Sequence, residues 1–223
     1  MTTPAVGDAA EEAFRARQDA RTRQILIAAA ALMQQHGSHK VSMKAIADEA
    51  GVSVGLIYRY YENKEVLIRA VILNVLDEMA YQIPKAMEPH SDPVRRVIAA
   101  FITYAQVVRD QRKAVLLTYR ETGSLDREGK ELIKALEVET GQLMQNAVDA
   151  AIDEGYFRET LSAATFSFDL IVTAHSWAIK YWYFSSRMSF EEYVDTHVSM
   201  ALHCALKPEH LERYEDLVMA KEK

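Results

Sequence analysis

The 223-residue sequence predicts an all-α protein: an N-terminal three-helix helix-turn-helix domain followed by a larger C-terminal helical bundle. Three observations carry that expectation. Apolar residues recur three and four positions apart in segment after segment, the spacing of one buried helix face. Many of these segments open on Ser, Asp or Asn and close near Gly or Pro, residues that cap and break helices. No run alternates apolar and polar residues over strand length, and there is neither a Gly-rich phosphate loop nor an internal repeat.

Residues 1–18 are small and polar, acidic and then basic, and read as a flexible arm or a frayed extension of the first helix. Arg15, Arg17, Arg21 and Arg23 suit phosphates or a minor groove, and equally a solvated helix face. The domain of residues 19–65 begins with a helix reaching about His36, whose inner stripe is Ile25, Leu26, Ala29, Leu32 and Met33, stopped at Gly37. Within Lys40 to Lys64, Ser42 is an N-cap ahead of Met43, Ile46, Ala47 and Ala50. Gly51 then allows a sharp turn, because glycine takes positive φ without a Cβ clash. Ser53 caps a second helix through Tyr61, with Ile57 and Tyr61 four apart on its inner face. Val54, Gly55, Tyr58 and Arg59 point outward, and the small residues at the entry end suit insertion into a DNA major groove.

This stretch resembles the DNA-binding domain of the TetR family of bacterial repressors over roughly residues 20–70. The residues that carry the resemblance are Ile46-Ala47, Ala50-Gly51-Val52-Ser53, Gly55, Ile57-Tyr58, Tyr61 and Asn63-Lys64-Glu65. Two positions depart from the family pattern: Leu56 replaces a frequent hydroxyl residue, and Tyr61 a frequent Phe. The resemblance implies a homodimer whose two heads read half-sites of double-stranded operator DNA about 34–36 Å apart, or a multiple of that. Lys40, Ser42, Lys44, Tyr58, Tyr60 and Lys64 are then expected at phosphates, and Val54, Gly55 and Arg59 at bases. Arg59 is the candidate for a guanine contact.

A net charge of −6 is at first sight wrong for a DNA binder. Residues 15–64, however, hold eight basic side chains against four acidic ones, whereas residues 65–223 hold 18 against 25. A positive head on an acidic body suits phosphate binding at one end only.

Residues 66–223 read as the ligand-binding and dimerisation domain. A long helix from about Asn63 to Gln82 carries Val66, Leu67, Val71, Val75 and Met79 and should close at Pro84. It joins head to body and is the obvious lever. Further helices are expected from Asp92 to Arg109, Ala114 to Thr122 and Asp126 to Glu154, then at 161–185, 189–206 and 208–221. The segment Thr165 to Phe184 is strongly aromatic on more than one face. With the Val194-Val198-Leu202 stripe, it is expected to meet a twofold mate, as the resemblance also implies.

Phe101, Tyr104, Tyr119, Met144, Phe168, His175 and Trp177 are candidates to line a pocket for a hydrophobic effector, although each also fits a core position. Val115 to Leu125 and His175 to Trp182 resemble a TetR subgroup that answers to acyl-CoA thioesters and controls fatty-acid or sterol side-chain breakdown. That resemblance implies Arg120 near the CoA phosphates, with an ion pair to Glu121 or Glu137 as the alternative. An efflux repressor answering to a drug-like ligand is the other reading of such a pocket.

No enzyme constellation is present: seven histidines show no ligand spacing, and neither GxSxG nor a P-loop occurs. No catalytic residue, metal or cofactor is therefore expected. Cys204 excludes an intrachain disulfide, fits a reducing cytoplasm and reads as a buried thiol. No stretch has signal-peptide or transmembrane character, so no membrane association is expected. A non-specific architectural DNA protein would need more positive charge.

Overall fold

The computed structural model describes the backbone of residues 6–218 and the side chains of residues 20–218. Among the described residues there are eleven α-helical segments and no β-strand. Helix α1 (Val6–His36) is longer than expected, because its backbone is already helical through residues 6–18. The Arg15 and Arg17 side chains lie outside the described residues. It ends at Gly37, whose φ of 85° suits glycine alone. Helices α2 (Met43–Ala50) and α3 (Val54–Tyr60) follow, and the head closes around Ile25, Ala29, Met33, Ile46 and Ile57, all fully buried.

Asn63 caps α4 (Lys64–Met87) by accepting from the Val66 amide at 2.9 Å. At 24 residues, α4 spans about 36 Å. Pro84 does not close it, contrary to expectation, but sits inside the last turn. There it removes one amide, while Ile83 and Met87 on either side are buried and hold the turn against the body. Helix α5 (Pro93–Asp110) is the central post. Val94, Val97, Ala100, Phe101, Ala105 and Val108 are fully buried, and it packs against α4, α7 and α8.

Two contacts fix how the body packs beside the early turns of α4, next to the head. The Asn74 amide donates to Gln111 at 3.0 Å, placing the end of α5 beside the third turn of α4. Arg69 reaches Asp126, the N-cap of α7 (Arg127–Asp153), at 3.0 Å, beside the second turn. Helix α6 (Arg112–Glu121) connects these two points and lies across the head-facing end of the body, against α1 and α4.

The expected helix at 161–185 is broken into α8 (Ala163–Ile179) and the single turn α9 (Tyr181–Phe184) by Lys180. The break lets Trp177 meet Tyr181, Phe184, Phe190 and Tyr193 in one aromatic cluster, with ring centroids 5.1–6.3 Å apart. Helix α10 (Phe190–Ala205) starts with a capping box between Ser189 and Glu192. Its Val194-Val198-Leu202 stripe is buried in its own domain and is not available to a mate, a correction to the sequence reading. Cys204 on the same helix is exposed rather than buried.

Residues 208–221 were expected to form one helix, but the chain makes 3₁₀ turns at Pro208–His210 and Glu212–Tyr214 before α11 (Glu215–Val218). The cause is Asp92, which accepts from the Tyr214 hydroxyl at 2.8 Å and from Arg213 at 2.9 Å. Arg95 adds a bidentate pair to Asp216, so the tail is bent onto the start of α5. No helix among the described residues is long and apolar enough to cross a membrane.

Candidate DNA interface and ligand cavity

The turn between α2 and α3 is built as its sequence dictates. Ser42 Oγ accepts from the Ala45 amide at 3.1 Å, and Ser53 Oγ from the Leu56 amide at 3.2 Å. Gly51 takes φ 65°, and its amide reaches the Ala47 and Asp48 carbonyls to end α2. With Ile57 and Tyr61 turned inward, Gly55, Tyr58 and Arg59 are exposed and Val54 and Tyr60 are half-buried. Arg59 lies over the Tyr60 ring, 5.5 Å from its centroid, which limits where the guanidinium swings. Lys40, Ser42 and Lys44 are exposed beside this surface. Burial raises the Tyr61 hydroxyl above its usual value and so keeps it neutral.

Lys64 differs from the other expected phosphate ligands. Its Nζ donates to the Ser38 carbonyl at 2.8 Å and to the Val41 carbonyl at 3.2 Å. Two of its three N–H groups therefore bind the segment before α2 to the first turn of α4.

A cavity of about 960 Å³ lies between α4, α5, α6, α7 and α8. Ile72, Val75, Leu76 and Met79 of α4 form an apolar wall. Val138 and Phe168 also line it and are 69% and 65% exposed, so they mark its solvent side. Its polar centre is a chain of three side chains. The Tyr104 hydroxyl is 3.0 Å from His175 Nε2, and the Tyr119 hydroxyl is 2.8 Å from His175 Nδ1. Burial depresses His175 to about 4, so the imidazole is neutral near pH 7. Burial also raises Tyr104 and Tyr119, aided by the charge of nearby Glu137. Glu137 faces the same cavity, and its own carboxyl is raised by burial.

Of the eight residues expected in a pocket, Tyr104, Tyr119, Phe168 and His175 line this one. Phe101, Met144 and Trp177 do not: they are buried core. Helix geometry explains one of these. Trp177 is two residues past His175, about 200° around α8, and so enters the aromatic cluster instead. Met144 of α7 is buried in the core although Gly141, one turn before it, lines the cavity. Arg120 points away from the cavity and donates to the Gln34 carbonyl of α1 at 3.1 Å, not to the expected carboxylates.

Comparisons with known proteins agree with both halves. The family model for bacterial regulatory proteins of the tetR family matches residues 25–71, and the model for tetracyclin repressor-like C-terminal domains matches residues 90–205. The chain belongs to the tetR family. It is 35% identical to the HTH-type transcriptional regulator HbdR of Aromatoleum sp. (strain CIB) over 175 residues, 78% of this chain and 76% of that one. The structure of the ketosteroid transcriptional regulator KstR2 of Mycobacterium tuberculosis superposes with a TM-score of 0.71 at 19% identity, covering 84% of this chain and 95% of that one. AibR, solved in complex with isovaleryl coenzyme A and operator DNA, gives a TM-score of 0.69 at 24% identity, covering 81% and 97%. At these identities the two structures establish a shared fold. As a tetR-family member the protein is a DNA-binding transcriptional regulator, and the relatives it matches are regulators rather than enzymes.

Sequence reasoning missed the cavity residues Glu137, Gly141 and Val172, and treated the α4 wall as ordinary core. Gly141 carried a usable signal, since a glycine inside a long helix marks a close approach to a neighbour.

Proposed function

We propose that this protein is a homodimeric repressor that leaves its operator when a small apolar effector fills the α4–α8 cavity. One observation carries the reading: α6 borders the cavity through Tyr119 and grips the DNA-reading head through Arg120. Ligand occupancy that displaces α6 therefore acts on α1 and, through the Lys64 bonds, on α4 and the reading helix. Such a ligand shifts the equilibrium only by as much as it prefers one arrangement. Val54, Gly55 and Arg59 face bases in this reading, while Lys40, Ser42, Lys44, Tyr58 and Tyr60 hold phosphates, with the remaining N–H of Lys64 beside them.

The twofold mate meets α8–α10. Their outward residues Trp182 (70% exposed), Tyr183, Ile179 and Met200 are the apolar surface left unused by the body. An acyl thioester, possessing an apolar chain and a carbonyl, fits the cavity, and AibR is a neighbour of the same fold solved with isovaleryl coenzyme A. The test is fluorescence anisotropy on the DNA upstream of the protein's own gene, titrated with acyl-CoAs of graded chain length. Selective binding released by one chain-length class is the expected result. Selective binding that no acyl-CoA disturbs discards the thioester and keeps the regulator.

A further inference from the structure

The Tyr104–His175–Tyr119 chain has a direction, and that direction selects the ligand. A neutral imidazole carries one N–H and one bare nitrogen, so one tyrosine must donate to the ring and the other must accept from it. Two arrangements satisfy this rule, and they differ in the group left facing the cavity.

Tyr104 decides between them. Its side chain is buried, and among the described residues His175 is its one hydrogen-bond partner. If His175 Nε2–H donated to Tyr104, the buried Tyr104 hydroxyl would need a second partner for its own proton, and none lies in hydrogen-bonding reach among the described residues. A buried donor left unmade is costly, whereas Tyr119 is 56% exposed and satisfies either role. Tyr104 therefore donates to Nε2, the ring proton resides on Nδ1, and Nδ1–H donates to the Tyr119 oxygen. The Tyr119 hydroxyl proton is then left to point into the cavity.

We infer that the cavity takes an apolar ligand bearing an uncharged carbonyl group, whose oxygen accepts from the Tyr119 hydroxyl. Two further features narrow the class. Glu137 and Asp169 line the same cavity, so a carboxylate end is repelled. The cationic lining residue Lys134 is already paired with Glu131 at 3.1 Å. An alkylammonium is drawn to Glu137 and Asp169 rather than to Tyr119, so the lining argues against an anionic end and leaves Tyr119 as the anchor for an uncharged acceptor. Ketones, esters, thioesters and amides remain. This deepens the effector reading above and rests on it for the regulatory consequence, though not for the chemistry of the site.

The direction of the chain is measured without any ligand. Nitrogen-15 chemical shifts of histidine-labelled full-length protein, with His175 assigned by its disappearance in His175→Gln, should show a neutral ring protonated at Nδ1. A ring protonated at Nε2 overturns the inference and leaves the regulator reading untouched. The ligand class is then tested by calorimetry with octan-2-one, octanoate and octylamine. Octan-2-one should bind at least about tenfold more tightly than octanoate, and Tyr119→Phe should weaken the ketone about five- to tenfold while leaving octylamine, which the carboxylates attract, within about twofold. Tyr104→Phe, which removes the group that sets the direction, should lower the ketone preference although Tyr119 is intact. Equal or tighter binding of octanoate to the wild type, or a ketone affinity unchanged in Tyr119→Phe, refutes the assignment. If none of the three binds while an acyl-CoA still releases the operator, the carbonyl anchor is wrong and the regulator stands.

Discussion

Arg120 holds the Gln34 carbonyl in the last turn of α1, while Tyr119, its immediate neighbour on α6, holds His175 in the cavity wall. Adjacent residues on a helix point about 100° apart, so one short helix faces two compartments at once. Both residues sit in the last turn of α6 (Arg112–Glu121). In the proposed regulatory reading, a rearrangement on the Tyr119 side would therefore be felt at the end of α1.

Replacing Arg120 with Ala should therefore separate sensing from response. The Arg120–Gln34 bond is exposed and is worth about 1 kcal/mol, so the fold survives. Effector affinity of Arg120→Ala should stay within about twofold of wild type, while the effector's influence on operator affinity falls several-fold. Calorimetry for the ligand and anisotropy for the DNA measure the two separately. An undiminished effector response would assign the coupling to α4 alone.

Arg59→Ala should cost about 1–3 kcal/mol in operator binding and relax the preference at one base pair. The readout is affinity across operators varied one position at a time. Uniform weakening would make Arg59 a phosphate ligand instead.

Gly51→Ala tests the turn itself. At φ 65° an alanine pays about 1–2 kcal/mol that glycine does not, although no neighbouring atom lies within 4 Å of the added methyl. The urea midpoint should fall accordingly. A midpoint equal to wild type would mean that the turn relaxes without cost.

Stability should also fall in mild acid because of His175. Its pKa is about 4 in the fold and near 6.5 in the unfolded chain, so between these values the unfolded state binds the extra proton. The stabilisation is complete above about pH 6.5 and fades toward pH 4, by on the order of 3 kcal/mol. Glu137 acts in the opposite sense, since its raised carboxyl gains protons more readily in the fold. Urea unfolding of wild type and His175→Gln at pH 7.0, 5.5 and 4.5 isolates the histidine. The two should converge as pH drops; parallel curves would clear His175 of the effect.

The head was legible in the sequence because each of its devices is local. Ser42, Gly51 and Ser53 act on amides or carbonyls three or four residues away, and the stripe from Ile25 to Met33 has one obvious partner. The body was legible as helices but not as surfaces. Whether Phe101 or Tyr104 lines a cavity depends on how five helices are rotated, which periodicity does not encode. Lys64 shows the same limit from the other side: its charge and position suit phosphate, and only the folded loop brings two carbonyls within 3.2 Å. The tail failed for a related reason, because Asp92 captures Tyr214 across 122 positions of sequence.

The two carbonyl bonds of Lys64 mean that the reader has no wrist. They tie the segment before α2 to the first turn of α4, the shaft that joins head to body. In the repressor reading proposed above, a message from the sensor would then reach DNA as a change of span between two rigid hands, not as a change in the alphabet either hand can read. On that reading vocabulary and trigger are free to evolve on separate schedules: new residues at Val54, Gly55 and Arg59 would rewrite the address, and new residues around His175 would rewrite the cue.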